Sequence, residues 1–308
     1  MKFLIPVLLS PIFSFLFPNS FASEKILITS FSPLITEIVT HVGREHVKVF
    51  SVMEPGMDPH QYQPKPSDLK RVAESDLVLF SGKHLETYET SLQQSAGTGV
   101  RFLKVGSEIP GLRTQEGRIA RDSGGEALNR ELAAGGMEDP HWWTSVSNVE
   151  KATEIIRDAL IDLRPVNEKD FRENAAAYCE TLTALRRWVR RKVAELPRDK
   201  RKLVTSHDAF QYFARENGFT IFSIEGFSTD DEPSNRAIAE IIDMVKKQGV
   251  KAVFVESTNN PKVVEEILRE TGAKLGGMLY AAGPGTGDLS TYEATMKYNV
   301  TTIVEALK

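Results

Sequence analysis

One stretch near the middle of the chain constrains the fold more than any other. Between Asn167 and Pro197 the apolar residues Phe171, Ala175, Tyr178, Leu182, Leu185, Val189 and Val193 recur every three or four positions. That spacing predicts one long helix with a single apolar stripe, capped at Asn167 and running to about Leu196, where Pro197 stops it. A helix of this length can hardly be folded back inside a single small layer. It has to bridge or brace whatever lies on either side.

Both sides carry the same alternation. Before the helix, 25–31, 47–52 and 76–82 read as buried strands, and 33–42, 66–73 and 149–163 read as helices. After it, strands are predicted at 202–206, 219–222, 253–256 and 274–280, with helices at 208–217, 234–248, 261–270 and 291–307. Short apolar strands alternating with helices imply parallel sheets covered on both faces. The expected fold class is therefore α/β, with two lobes, each a mainly parallel sheet flanked by helices, joined by one long linker helix. The expected boundaries are an N-terminal lobe at 23–165, the linker at 166–196 and a C-terminal lobe at 197–308. Residues 106–136, rich in Gly, Arg, Glu and Ser, read as a loop or poorly ordered insertion.

The first residues bear on the compartment. Met1-Lys2 is basic, Phe3 to Phe17 is apolar but broken by Ser10, Pro11 and Ser14, and small residues stand at Ser20 and Ala22. This pattern predicts a secretory signal peptide over 1–22, cut after Ala22, rather than a membrane span of ~20 residues. Cys179 is the only cysteine, so no intramolecular disulfide is expected, and it lies too far from the leader to carry a lipid. Cys179 reads as a packing residue. A periplasmic, unlipidated, monomeric protein is the expectation. The net charge of −4 excludes a dedicated nucleic-acid binder. The basic end of the long helix (Arg186, Arg187, Arg190, Arg191, Lys192) reads as a solvated face near a helix C-terminus, with contact to an acidic partner as the other reading.

Three of the six histidines share a setting. His60 and His141 each follow Asp-Pro, at 58–60 and 139–141, and His207 follows a predicted strand in Thr205-Ser206-His207-Asp208. Proline fixes the backbone before the imidazole, and the preceding aspartate can accept its outer N–H. His207 lies beyond the carboxyl end of its strand, where parallel sheets place their ligands. Three neutral imidazoles suit zinc and related first-row ions. His41, His46 and His84 lack such a setting and read as structural. No His-Glu-x-x-His pair is present. Gly283, Gly285 and Gly287 read as a flexible loop rather than a phosphate cradle, because Pro284 interrupts them.

These pieces, taken in order, resemble the zinc/manganese receptor proteins of ABC importers, the TroA-like or cluster 9 solute-binding proteins. The matching segments are Gly56–Leu69 around His60, Asp139-Pro140-His141-Trp142, Ser206–Phe213, Val253–Glu256 with Asn260–Val263, and Tyr292–Asn299. The resemblance implies an exported substrate-binding protein that captures one divalent transition metal (Zn, Mn or Fe) and delivers it to a permease in the inner membrane. It places the first three ligands on His60, His141 and His207. Its usual fourth ligand, a carboxylate just after a strand, falls on Ala282, so Asp288 farther along the loop is the expected substitute. Glu256, a water or an open position are the alternatives. Other readings of the same residues are a zinc-dependent hydrolase, using Glu256 or Asp208 as base, and a metal-binding adhesin on the same fold.

Overall fold

A computed structural model of the protein describes residues 24–114, 137–226, 233–257 and 262–308. The expected signal peptide, most of the 106–136 segment and the expected helix start at Pro261 lie outside the described residues. The first lobe holds a four-stranded sheet of β1 (Ile26–Ser30), β2 (Val47–Ser51), β3 (Leu77–Phe80) and β4 (Arg101–Lys104) in the order β2-β1-β3-β4. A two-residue pair, β5 (Arg113–Thr114) with β6 (Met137–Glu138), is antiparallel. The second lobe holds β7 (Lys202–Thr205), β8 (Thr220–Ser223), β9 (Ala252–Glu256) and β10 (Lys274–Leu279) in the order β10-β9-β7-β8. Every pairing within the two large sheets is parallel.

The helices are α1 (Pro33–Gly43), α2 (Pro66–Ala73), α3 (Glu89–Ser95), α4 (Val146–Leu163), α5 (Glu168–Val193), α6 (Gln211–Asn217), α7 (Asn235–Gln248), α8 (Lys262–Thr271) and α9 (Tyr292–Leu307). Local chemistry fixes several of their ends. Ser32, Ser145, Ser234 and Thr291 each accept a backbone N–H of the first turn, and Pro33 and Pro66 occupy first-turn positions that need no donor. The long helix forms where its stripe predicts, but ends three residues early at Val193. The helix expected from Asp208 begins only at Gln211, because His207 and Asp208 are held in the loop by contacts described below. β4 and α3 carry too few apolar residues to stand out in the sequence.

The side-chain period of two along the strands separates three apolar clusters. Leu77 and Leu79 face one side of the first sheet, while Val78 and Phe80 face the other. In β9, Ala252 and Phe254 likewise part from Val253 and Val255. The outer clusters are local: α2 and α3 cover one, α7 and α8 the other. The inner faces of both sheets join one cluster, which contains all seven stripe residues of α5 together with residues of α1, α4, α6 and α9. The two lobes therefore share a core.

Two glutamates fasten the lobes across it. Glu37 in α1 accepts from the backbone N–H of Tyr292 at the start of α9 (2.8 Å) and from the Tyr178 hydroxyl on α5 (3.0 Å). Glu216 in α6 accepts from the hydroxyls of Ser145 (2.7 Å) and Ser147 (2.5 Å) at the start of α4. Each lobe thus sends a carboxylate to the positive end of a helix belonging to the other. Cys179 is half-buried on α5, and burial pushes its thiol up to about 11, which suits a packing role. Among the described residues no helix is long and apolar enough to cross a membrane.

The turn after β3 is held by Glu86, whose oxygens accept the N–H groups of Ser81 (2.7 Å) and Gly82 (3.0 Å). Burial pushes this acid from its ordinary value of 4.5 up to about 7. The folded chain therefore keeps a proton that the unfolded chain has released, and this group's contribution to stability falls as pH rises from about 4.5 to about 7. In urea unfolding of the metal-free protein, the stability of wild type relative to Glu86→Gln should fall across that window and level off above it.

Candidate metal centre

Three loop segments bring one imidazole each to a common point. His60 lies in the loop between β2 and α2, where its backbone N–H donates to Asp58 Oδ1 at 2.9 Å. The return of that loop is fixed by Asp68 in the first turn of α2, which accepts from the Tyr62 hydroxyl (2.6 Å) and the Lys65 N–H (2.7 Å). His141 follows β6 directly. Asp139 Oδ1 accepts both its backbone N–H (2.8 Å) and its ring Nδ1–H (2.9 Å). His207 follows β7, and its Nδ1 lies against Glu256 Oε2, at the end of the neighbouring β9.

At His141 and His207 the outer nitrogen, Nδ1, lies against a carboxylate, and the Nε2 atoms of all three rings approach one another. His60 Nε2 is 3.0 Å from His141 Nε2, and His207 Nε2 is 3.4 Å from the same atom. Two ligands at the usual zinc–nitrogen distance and tetrahedral angle are about 3.3 Å apart. The observed separations match that spacing, and the ligand atoms of the three lie within 4.8 Å of one another. His141 and His207 are fully buried and His60 is half-buried. No other group of three or more metal-binding side chains is found among the described residues.

The protonation states favour cation binding at His141. Burial, and then the neighbouring His207 and His60, hold its pKa well below 6.5, so its lone pair is free at neutral pH. For His207, burial alone would lower the pKa, but the Glu256 carboxylate outweighs it and the net shift is upward. Burial also pushes Asp139 well up, with the nearby Asp208 adding to the shift. Its Oδ2 has no hydrogen-bond partner among the described residues. A dication at the point of convergence would favour the ionised form of this buried acid.

Asp288 is exposed on the short turn Gly287–Leu289, and it is not among the three side chains that converge. The reason is local. Gly285 donates to Leu289 O (2.8 Å), Thr295 Oγ1 accepts from Gly285 N (3.1 Å), and the Thr295 hydroxyl donates to Leu289 O (2.7 Å). The glycine loop is thus fastened to α9 rather than free, with Asp288 on its outer side. Ala282 is half-buried on the inner part of the same loop, where Ala281 O accepts from Trp143 Nε1 at 2.6 Å. Neither base suggested for a hydrolase is free. Glu256 is engaged by His207, and Asp208 accepts from Gln211 Nε2 through both oxygens, at 2.9 and 3.1 Å.

Several supports were invisible in the sequence. Lys83, almost fully buried, donates to Ile109 O (2.9 Å) and Glu138 (2.6 Å), next to Asp139. Trp142 Nε1 donates to Ser81 O, and the close approach requires glycine at 106, where a Cβ would stand 2.4 Å from Ser81 O and 2.8 Å from that indole nitrogen. Tyr212 on α6 accepts from Leu112 N and donates to Asp139 O, both at 3.1 Å, so the second lobe holds the His141 loop of the first.

A model of the family described as the periplasmic component A of the zinc-uptake complex, ZnuA, matches residues 27–306. The chain is 33% identical over 296 residues to the manganese-binding lipoprotein MntA of Bacillus subtilis (strain 168), covering 93% of this chain and 91% of that protein. It is 29% identical over 290 residues to the iron-binding protein YfeA of Yersinia pestis, covering 94% and 88%. Its structure is similar to that of the periplasmic zinc-binding protein TroA of Treponema pallidum, with a TM-score of 0.80 and 29% identity over 92% of this chain and 99% of that one.

Tyr212→Phe should leave Leu112 N and Asp139 O without their shared partner. Unmade buried hydrogen bonds cost about 1–3 kcal/mol, so urea unfolding of the metal-free variant should show a loss of that order.

Proposed function

The chain belongs to the ZnuA family of metal-binding components of ABC importers, and on that premise we propose that it captures one divalent transition-metal ion between His60, His141 and His207 and delivers it to an importer permease. The family is one of transport components, not of enzymes. The observation that carries the reading is the convergence of three Nε2 atoms at metal-ligand spacing, with carboxylates against the outer nitrogens of two of them.

Taking 23–165 and 197–308 as the lobes and 166–196 as the linker, His60 and His141 belong to the first lobe and His207 to the second. The ion would then complete a site that neither lobe holds alone. The relatives differ in the metal their names give, manganese, iron and zinc. Imidazole donors suit zinc and iron, manganese prefers oxygen donors such as a carboxylate or water beside them, and raw affinity follows the Irving–Williams order rather than the physiological cargo. The class proposed is therefore Zn²⁺, Mn²⁺ or Fe²⁺. A signal peptide at 1–22 and a periplasmic location fit a receptor that meets its permease at the outer face of the inner membrane.

Metal analysis of the purified mature protein tests the site. About one equivalent is expected for a single tetrahedral-type centre, lost in His60→Ala and His207→Ala and retained in Asp288→Asn. Metal-free wild type after dialysis against each ion, or undiminished binding in the histidine variants, would overturn it. Delivery is tested by deleting the gene and measuring accumulation of each metal by the cells; unchanged accumulation of all three would sink it. Because His207 titrates above 6.5, protons compete with the ion from that range downward. Metal affinity measured against pH should fall on acidification, beginning above pH 6.5.

A further inference from the structure

Glu256 ends β9, and both of its oxygens are used on one residue of the neighbouring strand's exit. Oε1 accepts the backbone N–H of His207 at 3.1 Å, and Oε2 lies against His207 Nδ1. The grip is returned from the other strand, since Glu256 N donates to Ser206 Oγ at 3.1 Å. The parallel register explains the meeting: Thr205 pairs with Phe254, which sets position 207 across from 256. The Glu256 side chain is fully buried. A carboxylate can only accept, so against Nδ1 it requires the imidazole proton to sit on that atom and leaves the Nε2 lone pair facing His60 and His141.

We propose that Glu256 is a positioning residue of the metal site, which locks His207 in the tautomer that can bind the ion and is not itself a ligand. The proposal rests on the reading of the three histidines as the ligand set.

Asp139 provides an internal contrast. It engages His141 through a single oxygen, Oδ1, which accepts both N–H groups, while Oδ2 has no partner among the described residues. An asparagine at 139 can keep its carbonyl at that one accepting position. A glutamine at 256 cannot reproduce two acceptors. If its carbonyl takes the backbone N–H, its amide NH₂ faces Nδ1 and drives the ring proton to Nε2, where the metal would bind. Both substitutions replace a carboxyl group by its isosteric amide, but they differ in what they do to the tautomer.

The test compares Zn²⁺ affinity, by chelator competition, and the visible spectrum of the Co²⁺ form in wild type, Glu256→Gln and Asp139→Asn. Glu256→Gln should lose about 10–100-fold in affinity, the usual range for such outer partners, with a smaller loss in Asp139→Asn. Its Co²⁺ spectrum should retain the parent's coordination number. Imidazole ¹⁵N shifts of metal-free wild type at alkaline pH, which need no variant to fold, should show His207 protonated at Nδ1. Equal losses in the two variants, an unchanged affinity in Glu256→Gln, a lost donor in its Co²⁺ spectrum, or an Nε2–H tautomer in the wild type would each overturn the proposal. Failure of the underlying reading shows separately, as a His60→Ala protein that binds Co²⁺ like its parent; that result would overturn both.

Discussion

The apolar contact between α5 and both lobes is what the rest of the molecule depends on. Each large buried side chain of its stripe contributes about 1.5–3 kcal/mol by leaving water. The stripe includes Phe171, Tyr178, Leu182, Leu185, Val189 and Val193, all of them in the cluster that also holds strands of both sheets. Separating the lobes would expose this surface and strip Glu37 and Glu216 from the helix ends they hold. The site is thus mounted on a frame with little freedom to hinge.

The loops that carry the histidines are not alike. His141 and His207 are fully buried and backed by carboxylates, and Tyr212 ties the first of them to the opposite lobe. His60 is half-buried on a longer loop, steadied through Asp58 and Asp68 at its base. Two of the three imidazoles are set by the frame and one by a more exposed segment. The charge arrangement follows a similar division, with negative groups placed behind the ligands rather than among them.

Much of this was legible before any coordinates. The long helix announced itself because one stripe serves two lobes, and an amphipathic period repeated over 26 residues is hard to mistake. The histidines stood out because Asp-Pro-His fixes a backbone and supplies an acceptor within three residues. Other features left no local trace. β4 reads Arg-Phe-Leu-Lys, half-exposed at a sheet edge, without the apolar run that marks a buried strand. Glu256 looked like one more carboxylate near a ligand, because only the pairing of β7 with β9 shows that it faces His207. The exposed setting of Asp288 left no trace for a related reason: the loop is fastened by hydrogen bonds from Thr295, on the following helix, and a loop's glycine content says nothing about such anchors.

The shared core also sets an order of events. Tyr292, Met296, Val300, Ile303, Val304 and Leu307 of α9 all enter the cluster that includes Ile26. The first strand therefore cannot finish its packing until α9, more than 250 residues later, has been made. Domains that close on themselves can fold as they emerge from the ribosome, but a core built from segments this far apart waits for the later one. The three imidazoles, at 60, 141 and 207, likewise come from segments spread along the chain, and they meet only once both lobes are in place.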